Sequence, residues 1–162
     1  SLLARLGYQV AALSGRAQHA EALKALGAAG VVDRVEFLAQ PDKPLESARW
    51  AAVIDNVGGQ VLGKALRQVK YGGVVASIGN AGGIALETTV LPFILRGISL
   101  FGIDSVMQPF ETRVAAWRRI AGTFDLAAYA GLVREVGLEE LPQAAGEILA
   151  GEVKGRVLVK VR

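Results

Sequence analysis

Ser14, Gly15 and Arg16 close an apolar run that begins at Tyr8, and a hydroxyl two residues from a guanidinium is a donor pair suited to an anion. The run is bounded by Gly7 and Gly15 and reads as a buried parallel strand over Gln9 to Leu13. Open α/β sheets bind ligands at the carboxyl ends of such strands. In dinucleotide-binding domains the tip of the second strand meets the adenosine ribose: an acidic residue there accepts from the 2′-hydroxyl, and an Arg instead accommodates a 2′-phosphate. This tip has no carboxylate, which points to NADPH. Taken alone, the segment fits a polar turn after a strand equally well.

Three further strand ends carry polar or glycine-rich residues. In Val53-Ile54-Asp55-Asn56-Val57-Gly58-Gly59 a buried strand runs into a helix, which places Asp55, Asn56 and Val57 near the adenosine half of a bound cofactor. The competing role for Asp55 and Asn56 is to satisfy the next helix's free amides. In Ser77-Ile78-Gly79-Asn80-Ala81-Gly82-Gly83, closely spaced glycines let a backbone approach a flat ring or a phosphate, or simply make a flexible loop. Gly102-Ile103-Asp104-Ser105 completes the row, with Asp104 either a general base or a local hydrogen-bond acceptor. His19 is expected to be exposed or capping, Trp50, Trp117 and Phe101 to pack, and Glu139-Glu140 to start a solvated helix. No residue emerges as the catalytic acid or base.

The elements that must hold these ends alternate between strand and helix, as in a parallel sheet covered on both faces. A helix ends at Gly7, and another spans Gln18 to Leu26. A short strand covers Val31 and Val32, and Phe37 to Glu46, with Pro41 and Pro44, reads as a loop. A strand at Trp50 to Asp55 and a helix from Gly59 to Gln68 follow, then strands at Val74 to Ile78 and Ile98 to Ile103 on either side of a short helix around Pro92. Helices are expected from Pro109 to Ala121 and Leu138 to Leu149, with a shorter segment near Leu126 to Val133 and a last strand at Arg156 to Val161. The expected fold is a doubly wound, Rossmann-like α/β domain whose first strand and glycine-rich loop would lie upstream of Ser1. Without that central strand, two neighbours lack hydrogen-bond partners, so marginal stability or a strand-swapped assembly is expected.

Composition narrows the classes. The 18 basic and 15 acidic residues leave a net charge of +3 with no clustered basic face, which disfavours nucleic acid. There are no cysteines and one histidine, which removes disulfides, thiol nucleophiles and a zinc site of the usual ligands. A cysteine-free chain fits a reducing compartment, so a cytoplasmic location is expected. The longest uncharged run, Tyr71 to Leu86, is too short and glycine-rich to span a bilayer as a helix, so no membrane partner is expected.

In S-G-R, D-N-V-G-G, Y-G-G-V-V-A-S-I-G-N-A-G-G, T-T-V-L-P-F-I-L-R-G, G-I-D-S-V-M and the final K-G-R-V-L-V-K-V-R, the chain resembles the acrylyl-CoA reductase family. These are zinc-independent, quinone-oxidoreductase-like medium-chain dehydrogenases. The resemblance implies an NADPH-binding domain over residues 1–150 and, over 151–162, a strand returning to a GroES-like substrate domain. It implies that Ser14, Gly15 and Arg16 bind the 2′-phosphate end, joined by Arg34 from the end of the next strand, and that Asn80, Ile94 and Ser105 approach the nicotinamide side. It also implies hydride transfer to an α,β-unsaturated acyl-CoA thioester or a quinone, and a homodimer through the strand near Ile98 to Ile103. The family's cofactor contact just before the final Gly-Arg falls here on Gly151-Glu152-Val153-Lys154, which lacks an amide side chain. Two other readings compete: a non-catalytic nucleotide-sensing module, and a methyltransferase, against which Ser14 and Arg16 argue.

Overall fold

A computed structural model describes residues 1–124 and 126–162. The chain enters through α1 (Leu2–Arg5), β1 (Val10–Ser14), α2 (Ala20–Ala25), β2 (Ala28–Asp33) and α3 (Arg34–Ala39). It continues through β3 (Trp50–Asp55), α4 (Gly59–Arg67), β4 (Val69–Ser77), α5 (Leu91–Arg96) and β5 (Ser99–Gly102). It ends with α6 (Phe110–Thr123), β6 (Val133–Gly137), α7 (Leu141–Leu149) and β7 (Arg156–Lys160). Among the described residues every strand pairing is parallel, in three groups: β1-β2, β3-β4-β5 and β6-β7. Parallel neighbours need crossover connections, so the carboxyl ends of paired strands collect on one edge.

Helix α4 organises the core. Its apolar residues recur at helical spacing, and Leu62 and Leu66 bury against Val69, Val75 and Ile98. Val61 and Ala65 join Phe37 in a second cluster that reaches Val32 on β2 and Val53 on β3. This second cluster connects the β1-β2 pair to the β3-β5 sheet through side chains.

Several elements differ from expectation. The stretch expected to be a loop from Phe37 begins inside α3, because Asp33 caps that helix by accepting from the amides of Val35 and Glu36 at 2.8 and 2.9 Å. Capped in this way, α3 runs on until Pro41 and Pro44 stop it, and Phe37 is 5% exposed. The strand expected at Val31 and Val32 extends over Ala28–Asp33, and β4 starts at Val69 with an irregularity: Trp50 pairs with Val69, but Ala52 pairs with Val74. Gly72, at φ +67°, and Gly73 absorb those extra residues. Strand β6 was not anticipated. β1 has no fully buried residue, since among the described residues it pairs only with β2. Trp117 and Phe101 do not serve as packing residues, being 63% and 54% exposed on α6, which has no buried residue, and on the edge strand β5.

A polar knot, buried at Lys64 and Gln68 and open to solvent at Asp42, fastens the 40–49 loop to α4. Lys64, 3% exposed, donates to the Gln40 carbonyl at 2.6 Å and to Asp42 at 3.1 Å, with Glu46 at 3.5 Å. Arg67 meets Asp42 at 2.7 Å, and Gln68 bridges Glu46 and the Trp50 indole. Arg96 closes the knot by donating to the carbonyls of Arg67, Val69 and Glu46. Hydrogen bonds from Lys64 and then Arg67 hold the Asp42 carboxyl below its ordinary 3.8. A carboxylate with a lowered folded pKa stabilises the fold fully above its unfolded value and loses that contribution as pH falls through the folded one. Asp42→Asn is therefore expected to destabilise the protein at neutral pH, with the difference vanishing as the pH falls well below 3.8. Urea unfolding of both proteins across that range is the check; a difference independent of pH would refute it.

Candidate functional site

Parallel pairing sets Ser14, the last residue of β1, opposite Asp33, the last of β2. The Ser14 hydroxyl oxygen accepts from the Arg16 amide at 3.1 Å, which shapes the turn and leaves the hydroxyl proton free to donate outward. Asp33 engages its carboxylate through Oδ1, which accepts both amides of the α3 cap. The next residue, Arg34, opens α3, where a cation opposes the helix dipole, so its position does not stabilise the helix. Its guanidinium lies against Gly15: a Cβ there would stand 2.6 Å from Arg34 Nη2. Gly15 is therefore the space Arg34 uses. Arg16 and Arg34 are both exposed, and neither is ion-paired among the described residues. Two exposed guanidinia without a carboxylate partner among the described residues, and a hydroxyl donor, stand around one strand tip and form a group of donors suited to a phosphate.

The second half of the edge is built by two loops pressed together. The Asp55 carbonyl accepts from Ile78 N, and the Val57 carbonyl from Gly82 N, both at 2.7 Å. A Cβ on Gly79 would lie 2.8 Å from the Asn56 carbonyl oxygen, one on Gly58 2.5 Å from that of Gly83, and one on Gly59 3.0 Å from that of Gly82. These glycines first serve to let two backbones meet, a role the sequence did not distinguish from close approach to a ligand. Asp55 is buried at 4% exposure and accepts from Val57 N at 3.2 Å and Gly58 N at 3.0 Å, so it satisfies helix-entry amides. The side chains of Asn56 and Asn80 are exposed and make no hydrogen bond among the described residues, which leaves both able to address a ligand from this shelf.

The structure joins Asn56 and Val57 to Gly79 and Asn80, and Arg34 to Gly15. It does not join Ile94 or Ser105 to them by any hydrogen bond among the described residues. Ile94 is exposed on α5, and Ser105 follows β5, its carbonyl receiving Arg113 at 2.8 Å. Asp104 accepts from the amides of Met107 and Val106, which hold its pKa below the ordinary range and make it a poor base. His19 stands at the N-cap of α2 without a side-chain cap bond. Sequence reasoning passed over Asp33, whose signal was the capping spacing Asp33-Arg34-Val35-Glu36. It also left open whether the 151–153 turn touches this site; there Arg16 donates to the Val153 carbonyl at 3.4 Å.

Residues 1–121 match the family described as zinc-binding dehydrogenase. The chain is 47% identical to acrylyl-CoA reductase AcuI of Ruegeria pomeroyi, covering 99% of this chain and 49% of that protein. Its fold is similar to the yhdH oxidoreductase of Salmonella enterica in complex with NADP, at 48% identity and TM-score 0.92 over 99% of this chain and 49% of that one. It is also similar to yhfP of Bacillus subtilis with NAD bound, at 42% identity and TM-score 0.91 over the same shares. The chain thus spans about half the length of the relatives it matches. The family's description implies a metal, but the residues here do not fit one. The chain has no cysteine and one histidine, and no group of three His, Asp or Glu residues able to hold an ion occurs among the described residues.

Proposed function

Because this chain belongs to the zinc-binding dehydrogenase family, we propose that it is the cofactor-binding half of an NADPH-dependent oxidoreductase. The reaction is reduction of the carbon–carbon double bond of acrylyl-CoA or a related α,β-unsaturated carbonyl compound or quinone. The observation that carries the cofactor reading is the tip of β1, where Ser14, Arg16 and Arg34 gather with no unengaged carboxylate. The substrate reading draws on the relative named acrylyl-CoA reductase and on the NADP complex of yhdH.

Arg16, Arg34 and the Ser14 proton hold the 2′-phosphate beside Gly15. Asn56, Val57, Gly79 and Asn80 form the floor along the cofactor, and Ile94 and Ser105 face its nicotinamide side. When bound, NADPH supplies a hydride from C4 of its nicotinamide to the β-carbon of the substrate, with a proton going to the α-carbon. The protein's share is position and charge, and no step passes through a metal. The free edge of β5 suits pairing with a second copy, giving a homodimer with continuous sheets. Residues 151–162 lead back to a substrate domain, and the cysteine-free composition supports a reaction in the cytoplasm. No helix among the described residues is long and apolar enough to cross a membrane.

The test is titration of the intact protein with NADPH and NADH, following binding and acrylyl-CoA-dependent oxidation together. Tighter NADPH binding with turnover is expected. Equal affinity for both nucleotides would overturn the cofactor reading, and binding without turnover the substrate reading.

A further inference from the structure

Arg16 is held from 137 residues away: its Nη1 donates to the Val153 carbonyl. On its other side Nη2 lies where a Cβ on Gly151 would stand only 2.9 Å away. Gly151 sits at φ +73°, just past the end of α7, and its amide donates to the Ile148 carbonyl at 3.0 Å, so the turn is tied to the helix. The bond to Val153 is the only side-chain hydrogen bond Arg16 makes among the described residues. The guanidinium therefore has a fixed acceptor on one side and, on the other, a space that exists because residue 151 has no side chain.

We infer that the 150–153 turn positions Arg16, and that Gly151 is thereby a specificity-determining position for the cofactor's 2′-phosphate. This rests on the NADPH reading above. Gly151 acts through Arg16 and touches no reacting atom, so it is a positioning residue. Filling its space displaces the guanidinium and weakens binding of the phosphorylated nucleotide alone. Strand β7 begins at Arg156, a few residues beyond the turn, so the carboxyl-terminal strand and the phosphate site share one mechanical support.

Gly151→Asn is the informative change, because Asn tolerates positive φ while its side chain fills the space. In the intact protein, NADPH and 2′,5′-ADP should bind about tenfold more weakly, as expected for the loss of one charge-assisted contact. NADH affinity should stay unchanged, and in an Arg16→Ala background the same substitution should have no further effect on NADPH. Gly151→Ala, the smallest change that reaches Arg16, is read in the same pair of backgrounds and keeps the test open if Asn impairs folding. Equal losses for NADPH and NADH, or the same loss with Arg16 already removed, would overturn the inference and leave the NADPH reading intact. A wild-type protein that does not distinguish the two nucleotides would overturn both, and is recognised before any variant is made.

Discussion

Gly58→Ala is expected to destabilise the protein by about 3 kcal/mol, combining a backbone conformation essentially restricted to glycine with a clash against main chain. Gly58 has φ 69° and ψ −158°, and a Cβ there would sit 2.5 Å from the Gly83 carbonyl oxygen. That oxygen belongs to a loop already bonded to the Asp55 and Val57 carbonyls and bridged from Gly83 to Gly58, so it cannot step aside as a side chain would. The contrast is Gly7→Ala: φ is +86°, but no atom lies within 4 Å, and only the conformational cost of about 1 kcal/mol remains. Urea unfolding midpoints of the two variants measure the difference. Similar losses for both would show that the two loops are not pressed together as described. Because Asn56 and Asn80 ride on the same two loops, Gly58→Ala should also weaken both nucleotides equally, unlike a change at Arg16 or Arg34.

Removing Arg16 and Arg34 together should lower NADPH affinity about a hundredfold while leaving NADH affinity unchanged, with about tenfold from each. The factor per arginine follows from a charge-assisted hydrogen bond at an exposed site, where water and salt weaken the attraction. Both guanidinia are exposed, so the wild-type preference for NADPH should shrink as salt rises, and the double variant should show little salt dependence. Isothermal titration at two ionic strengths separates these effects. If the double variant loses NADH binding as severely, the arginines support the turn and not the phosphate. Arg16→Ala alone also removes the tie to Val153, so its effect is compared with Arg34→Ala, which leaves that tie in place.

Much of the architecture was legible because strand and helix periodicity are local properties. The α4 pattern of Val61, Leu62, Ala65 and Leu66 predicts its buried face, and the runs at Trp50 and Val74 predict strands of a parallel sheet, as observed. The misreadings have local causes as well. Two prolines point to a loop where the Asp33 cap starts α3, and the apolar character of Trp117 and Phe101 points to packing although both are mostly exposed among the described residues. No local pattern marks Lys64 as buried; it is buried because the 40–49 loop folds over it and supplies Gln40, Asp42 and Glu46.

From residue order alone followed the alternation of strands and helices, the row of polar strand ends, and the hydroxyl and guanidinium at the tip of β1. Each of these depends on neighbours within a few positions. Folding in three dimensions settled which of those residues meet. It set Arg34 into the space above Gly15, pressed the glycines at 58, 59 and 79 against the backbone of the facing loop, and brought the 151–153 turn to Arg16. Such contacts join segments far apart in the chain, and their geometry follows from how helices and sheets pack, which no local pattern encodes.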